Sequence, residues 1–420
     1  MADTESTQAR FDGYDVDEGD PKRYSFDTST VRHREPTHPV REGIEVLSLA
    51  FNADPFDHFA WMHQNAPVYW DDTEGIWAVV GHADISRIEV DWQTFCSAKG
   101  SRPNSSVPSM INMDPPEHTE RRRLLSAGFT PRAVRVHEDF LRATVTELID
   151  AVVDDGGCDF VVDIARPIPL RMIARLMDLP LADEEKLLHW SDLFAIGGEE
   201  YRDEVTQAVR EWALYIVDQM KTRTDPEADD LISLLMHHDG QPLTPDDLVF
   251  ETMLTLVGGD ETTRHVMAGG LEALLHHPDQ MEMLRNDRSL LPRAIDEMLR
   301  WVTPVRNMNR TATVDVELGG QQILAGDRVL LLYQAANRDP SVFDDPYRFD
   351  ITRDASRHVA FGGHGRHYCM GAQLAKLELR VLFEEVLDRL PAIALAQPDV
   401  WQPERAGNFV LGIDHLPVVW

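Results

Sequence analysis

Phe361-Gly362-Gly363-His364-Gly365-Arg366-His367-Tyr368-Cys369-Met370-Gly371 is the stretch on which the reading of this chain turns. Beyond it, from Gly371 to Leu390, apolar residues recur three and four apart as on one face of a helix, and Pro391 stops the pattern. A lone cysteine is thus set at a helix N-terminus, where backbone N–H groups stabilise a thiolate. Glycines on either side let the main chain come close to a flat ligand that side chains would hold away. Free cysteine is more often a buried, inert residue. Four glycines and two histidines within the same stretch argue against that fate here.

The rest of the composition limits what such a site can serve. With 43% hydrophobic and 27% charged residues in 420, the chain has the material for a large core. A formal net charge of −32 repels phosphate backbones and anionic lipids, which excludes nucleic acid and membrane surfaces as partners. Two arginine clusters run against this total: Arg121, Arg122, Arg123, Arg132 and Arg135, then Arg353, Arg357 and Arg366. Such runs are usually solvated faces. The N-terminus has neither a basic n-region nor an apolar h-region, and no stretch of about 18 apolar residues occurs, so the expected location is cytoplasmic. Three scattered cysteines, Cys96, Cys158 and Cys369, speak against a disulfide framework and a multi-cysteine cluster.

Residues 1–45 read as a polar N-terminal tail, on the surface or disordered, and residues 46–420 as one mainly α domain with small β-sheets. Pro67–Asp71 and Ile76–Val80 form a hairpin pattern around Gly75. Val314, Val316 and Leu318 alternate with acids before Gly319-Gly320, and Ile323–Leu332 returns as an apolar run. Helical spacing covers Arg132–Val153, Glu184–Ile196, Glu204–Lys221, Leu290–Trp301 and Gly371–Leu390. The longest helix runs from Thr244, with Pro245 at its first position, to His277, roughly 50 Å at about 1.5 Å per residue. Its middle carries Gly258-Gly259-Asp260-Glu261-Thr262-Thr263. Two interior glycines each cost about 1 kcal/mol relative to alanine, which a helix tolerates when a ligand needs the space. A packing notch beside a solvated acid is the plainer reading.

The cysteine loop resembles the signature of the cytochrome P450 family, Phe-Gly-x-Gly-x-His-x-Cys-x-Gly, with one additional residue between Phe361 and Cys369. Three further segments fit that family in order, so the resemblance spans roughly residue 50 to the C-terminus. It implies a cytochrome P450 fold with heme b (iron protoporphyrin IX) buried between the long central helix and the cysteine-loop helix. Cys369 would be the metal ligand, Phe361 the shield of its sulfur, and His367 a propionate partner. His118 and Arg122, four apart on one helical face, could clamp a carboxylate, and Arg310 matches another propionate ligand. Gly258 and Gly371 complete the heme contacts. Glu297 and Arg300, as bare chemistry a surface pair three residues apart, resemble the family's Glu-x-x-Arg pair, and Pro346-Tyr347-Arg348-Phe349 would supply the second arginine of its buried triad. Glu261 and Thr262 resemble the catalytic acid and alcohol that relay protons to bound oxygen.

By the same resemblance the chain is a monooxygenase that inserts one atom of O₂ into a bulky hydrophobic small molecule. No Rossmann, flavin or iron–sulfur pattern is present, so electrons would come from a ferredoxin and ferredoxin reductase, docking at Arg366 and the arginines of 121–135. Substrate would meet Val107, Met110 and Ile111, Val257 and Gly258, Val305 and Met308, and Phe409, Val410 and Leu411. The methionines would equally suit plain core packing. The runs LVGGDETTRH and EMLRWVTPVRNMNR are similar to actinobacterial sterol side-chain hydroxylases, which implies steroid hydroxylation, with terpenoid, fatty acyl or polyketide tailoring as the alternative. A peroxide-driven enzyme would lack the Glu261-Thr262 pair. A non-catalytic heme-binding sensor would keep Cys369 without needing a reductant.

Overall fold

The computed structural model describes residues 34, 36–103, 106–196, 201–238, 240 and 242–420. Its centre is the helix Pro245–His276, buried on nearly every side, as a helix enclosed in a large core must be. Thr244 caps it, its hydroxyl taking the Asp247 N–H while the Asp247 carboxylate takes the Thr244 N–H. Around it pack the helices Pro167–Leu176, Glu184–Ile196, Leu291–Val302 and Ala372–Arg389.

The strands lie to one side. A five-stranded sheet has the order β1 (Val68–Asp71), β2 (Ile76–Val79), β8 (Arg328–Leu332), β5 (Asn307–Ala312) and β3 (Phe95–Cys96). Only β2 and β8 run parallel, pairing Ile76 with Arg328 and Val79 with Leu331. A three-stranded sheet joins β4 (Gly157–Asp159), β10 (Pro417–Val419) and β9 (Ala394–Leu395), and β6 (Val316–Leu318) pairs with β7 (Gln321–Ile323). The chain is thus mainly helical with small sheets, as its periodicity indicates. Most of the expected polar tail falls outside the described residues. Of its described part, Arg34 pairs with Asp327 at 2.5 Å, and the His38 ring accepts the Trp70 N–H at 2.8 Å, so this segment lies on the sheet surface.

Three local expectations change. The span Arg132–Val153 is two helices, Pro131–Arg135 and Glu138–Val152. The break keeps both Val134 and Leu141 buried while Val136 between them is exposed. The apolar run Ile323–Leu332 is broken by a turn, in which Gly326 takes φ +88° and the Asp327 carboxylate accepts the Leu324 N–H. The third change concerns the buried triad. Arg300 and Glu297 are both fully buried and joined by two bonds of 2.7 Å. The second arginine on Glu297 is Arg353, at 3.4 Å, and not Arg348. Arg348 is exposed and offers only its backbone carbonyl, to Arg300 at 3.2 Å. Arg300 also donates to the carbonyls of Asn337 and Pro346, so one guanidinium fastens the helix Leu291–Val302 to the loop that leads to the cysteine.

Removing one partner of a buried ion pair strands the other. Glu297→Ala is therefore expected to lower the unfolding free energy by about 3–5 kcal/mol. Arg348→Ala is expected to change it by no more than about 0.5 kcal/mol. Urea unfolding followed by tryptophan fluorescence measures both, and equal losses would remove Arg353 from the triad.

Candidate active site

Cys369 stands two residues ahead of the helix Ala372–Arg389, whose N-cap is Gly371. Its own N–H donates to the Phe361 carbonyl at 2.9 Å, which closes the loop on itself. Burial pushes the thiol pKa up, and the N–H groups of Gly371 and Ala372, with the Arg122 guanidinium, pull against it. The sulfur is thus supplied with donors yet still lacks enough positive charge to ionise freely, which suits a thiolate completed by a metal cation. Among the described residues no group of three His, Cys, Asp or Glu is placed so that it could hold a metal ion.

The additional residue of the loop is absorbed on its far side. Gly362 takes φ +81°, and a Cβ at Gly363 would lie 2.8 Å from the Glu89 side chain. A Cβ at Gly365 would collide with the Glu89 carbonyl. The loop bulges against the end of the helix His82–Val90, while Phe361 stays packed near Tyr368, at 6.3 Å between ring centroids.

At the loop's edge the helix Glu117–Ser126 brings His118 within 4.3 Å of His367, centroid to centroid. The Nε2 atoms of both rings are buried without a partner. Burial, then the Arg122, Arg366 and Arg310 charges, pushes the His118 pKa down to about 4. His367 is driven well below its ordinary value by burial, Arg310, His118 and Arg122. Asp114 and Glu89 lie at this corner too, yet two buried ring nitrogens and the Arg122 guanidinium have no carboxylate partner among the described residues, which fits the carboxylates of a heme. Arg122 lies half-buried beside it and donates to the Tyr368 carbonyl at 2.6 Å. Arg310 is not free: its guanidinium pairs with Glu89 at 2.9 Å, and Tyr333 binds the same carboxylate.

The central helix divides the two glycines of its 258–259 pair between two tasks. A Cβ at Gly258 would meet nothing within 4 Å, whereas one at Gly259 would strike Ile173. Gly259 is the packing notch, Gly258 has nothing packed against it, and the acid that the plainer reading placed in solvent is buried. The Thr262 hydroxyl donates to the Gly258 carbonyl at 2.8 Å. Glu261 is fully buried, with Arg264 at 2.9 Å, Arg405 at 3.2 Å and His265 at 3.5 Å. Burial would raise its pKa, but the His265 hydrogen bond and the Arg264 and Arg405 charges overcome this and hold it low. The acid is thus clamped as an anion and not solvated.

Sequence reasoning missed Arg405, whose 144-residue separation from Glu261 leaves no local signal. It also missed a second acid layer: Asp260 and Glu378 are buried carboxyls whose pKa values burial raises, and both oxygens of Asp260 lack a hydrogen-bond partner. Arg121, expected on a docking face, is instead only 11% exposed and pairs with Asp247 and Glu251, each at 3.0 Å. Arg123, Arg132, Arg135 and Arg366 are exposed as expected.

The segment carrying Val107 and Met110 spans from the sheet to the central helix. Asn309 of β5 donates its N–H to the Ser101 carbonyl at 2.7 Å, and the Met110 N–H donates to Glu251 at 2.7 Å. Val107 and Val257 are half-buried against the main core, and Ile111 is half-buried between them in chain order. Val305 and Met308 pack on the sheet cluster, and Val305 bridges Val410. Phe409 lies under the Arg102 guanidinium at 3.8 Å, and Leu411 is buried.

Comparison with known proteins follows the same outline. A family model described as cytochrome P450 matches residues 170–414. The chain is 41% identical over 391 residues to a steroid C26-monooxygenase of Mycolicibacterium smegmatis, covering 91% of this chain and 97% of that protein. A cytochrome P450 of Mycobacterium marinum solved with pseudoionone aligns with TM-score 0.84 at 32% identity, over 91% of this chain and 100% of that one. CYP109E1 of Bacillus megaterium, solved with testosterone, aligns with TM-score 0.81 at 30% identity, over 89% and 99%.

The glycine pair gives a direct test. Gly259→Ala is expected to lower stability by about 1–3 kcal/mol through overpacking. Gly258→Ala is expected to leave stability within about 1 kcal/mol, helix propensity favouring alanine, while it alters the visible absorption of the heme-loaded protein. Thermal unfolding and absorption spectra of both variants decide, and a reversed pattern would move the open space to Gly259.

Proposed function

The chain belongs to the cytochrome P450 family, and on that premise we propose that this monooxygenase hydroxylates the side chain of a steroid in the cytoplasm, with electrons from a ferredoxin and its reductase. The observation that carries the reading is Cys369 held at a helix N-terminus, together with the room left at Gly258 on the central helix and the unpartnered ring nitrogens of His118 and His367. The steroid part rests on the similarity to steroid C26-monooxygenases and on a structural relative solved with testosterone.

Bound heme supplies the activation of O₂ and the insertion of one oxygen atom. The chain's own residues bind and orient. Cys369 would hold the metal, His118, Arg122 and His367 the propionates, and Arg310 would reach them while keeping Glu89. Thr262 holds its hydroxyl against the Gly258 carbonyl, one turn back along the same helix. Glu261 keeps its carboxylate ionised, and to carry a proton toward Thr262 it must leave Arg264 or Arg405. Apolar Val107, Met110, Val257, Val305 and Val410 exclude water and suit a lipophilic skeleton.

For the electron donor, the exposed Arg123, Arg132, Arg135 and Arg366 form a positive field on an acidic protein. Beside them lies a groove with a cavity of about 280 Å³, lined by Val134, Ile295 and Leu377 and edged by Arg135, Lys376 and Arg380. A small acidic redox protein matches that charge.

Reduced, carbon-monoxide-treated protein is expected to show the Soret band of thiolate-ligated heme, and Cys369→Ala to lose it; an unchanged band would sink the reading. Ferric spin-state titrations with sterols, terpenes, fatty acids and macrolides are expected to favour steroids. Arg132→Glu with Arg135→Glu is expected to slow reduction by ferredoxin about tenfold at low salt, with steroid affinity retained. Stopped-flow reduction measures it, and an unchanged rate places the donor elsewhere.

A further inference from the structure

Most arginines deep in this protein have a carboxylate. Arg264 has Glu261 at 2.9 Å, Arg300 has Glu297 at 2.7 Å, and Arg310 has Glu89 at 2.9 Å. Arg102 has none among the described residues. Its guanidinium carbon lies 3.8 Å from the centre of the Phe409 ring, and one Nη reaches the Phe194 carbonyl at a long 3.4 Å.

The surroundings of Arg102 explain why this matters. It belongs to the segment that runs from β5, through the Ser101–Asn309 bond, to the central helix, through the Met110–Glu251 bond. Phe194 is near the C-terminal end of the helix Glu184–Ile196 and packs against Trp212, at 6.3 Å between ring centroids. Phe409 precedes Val410, the partner of Val305. Three segments distant in sequence, those of Arg102, Phe194 and Phe409, therefore meet at one cation. Desolvation lowers its pKa to about 10, and at that value it is still charged at neutral pH. Its accessible surface is nevertheless intermediate, so its remaining donors are reachable by a ligand and are not used up in protein contacts. An aromatic face on one side steadies the cation without consuming its N–H groups. A planar fork of five donors that makes a single long bond is prepared for two parallel bonds to a carboxylate.

We propose that Arg102 is a substrate-binding residue that takes a carboxylate carried by an apolar skeleton, so that the acid end is anchored at Phe409 and Phe194 and the opposite, apolar end is presented for oxidation. The assignment rests on the monooxygenase reading and sharpens its substrate class to amphipathic acids, whether of steroid or of fatty acyl origin. Phe409 acts with it, by fixing the plane of the fork.

The test uses the heme-loaded full chain and two matched pairs: cholesterol hemisuccinate against its methyl ester, and hexadecanoate against methyl hexadecanoate. Dissociation constants are read from the ferric spin-state shift. The wild type is expected to bind each acid that fits at least about tenfold more tightly than its ester, the size of a charge-assisted bond pair. Arg102→Gln is expected to erase that ratio and Arg102→Lys to keep part of it, while the thiolate Soret band of the carbon monoxide complex reports that each variant holds its heme. Equal affinities for acid and ester in the wild type, a ratio that survives Arg102→Gln, or no binding of either acid overturns the proposal. If the fatty acid pair discriminates and no steroid binds, Arg102 stands and the steroid reading falls. If neutral steroids bind and neither acid is favoured, the steroid reading stands and the assignment of Arg102 falls.

Discussion

A buried sulfur that has to be negative is the constraint around which this molecule is arranged. Removal from water favours the neutral thiol, and the chain answers with two backbone N–H groups from the start of the helix Ala372–Arg389 and with Arg122 nearby. None of these positions is independent. The helix is held by the core it shares with the central helix, and the loop is held by the Cys369–Phe361 bond and by the glycines pressed on Glu89. Arg300 ties the same loop region to the helix Leu291–Val302 through the Asn337 and Pro346 carbonyls.

Charge is also distributed by depth. The surface is strongly acidic in sum, yet the corner around His118 and His367 is cationic, and the acids nearest the open space at Gly258 are either clamped or held toward the protonated form. Glu261 and Asp260 are neighbours in sequence with opposite tendencies, because Glu261 faces Arg264, Arg405 and His265 while burial dominates at Asp260. Adjacent carboxyls made unequal in this way can serve different roles on one helix turn.

Much of the architecture was legible where its cause is local. The cap at Thr244, the long central helix that carries Gly258-Gly259 and the cysteine just before a helix start are features of a few consecutive residues, and the structure has them where the pattern places them. What was not legible depends on partners far along the chain. Arg353, and not Arg348, reaches Glu297, because the turn after Phe349 points one side chain inward and leaves the other in solvent. Arg121 differs from Arg123 only in which face of a short helix it occupies, and that face meets Glu251. Arg405 and Arg102 acquire meaning from contacts with Glu261 and Phe409, and no spacing rule connects such residues. The division of labour between Gly258 and Gly259 is of the same kind, since only the position of Ile173 distinguishes them.

The bond from the Met110 amide to Glu251 fastens Met110 to the central helix, and the same carboxylate oxygen is shared with Arg121. Burial raises the Glu251 pKa to about 7 against the pull of that guanidinium, so the fastening is tied to proton uptake near neutrality. The ionic half of such a joint loosens in mild acid, where carboxyls at their ordinary values are still charged.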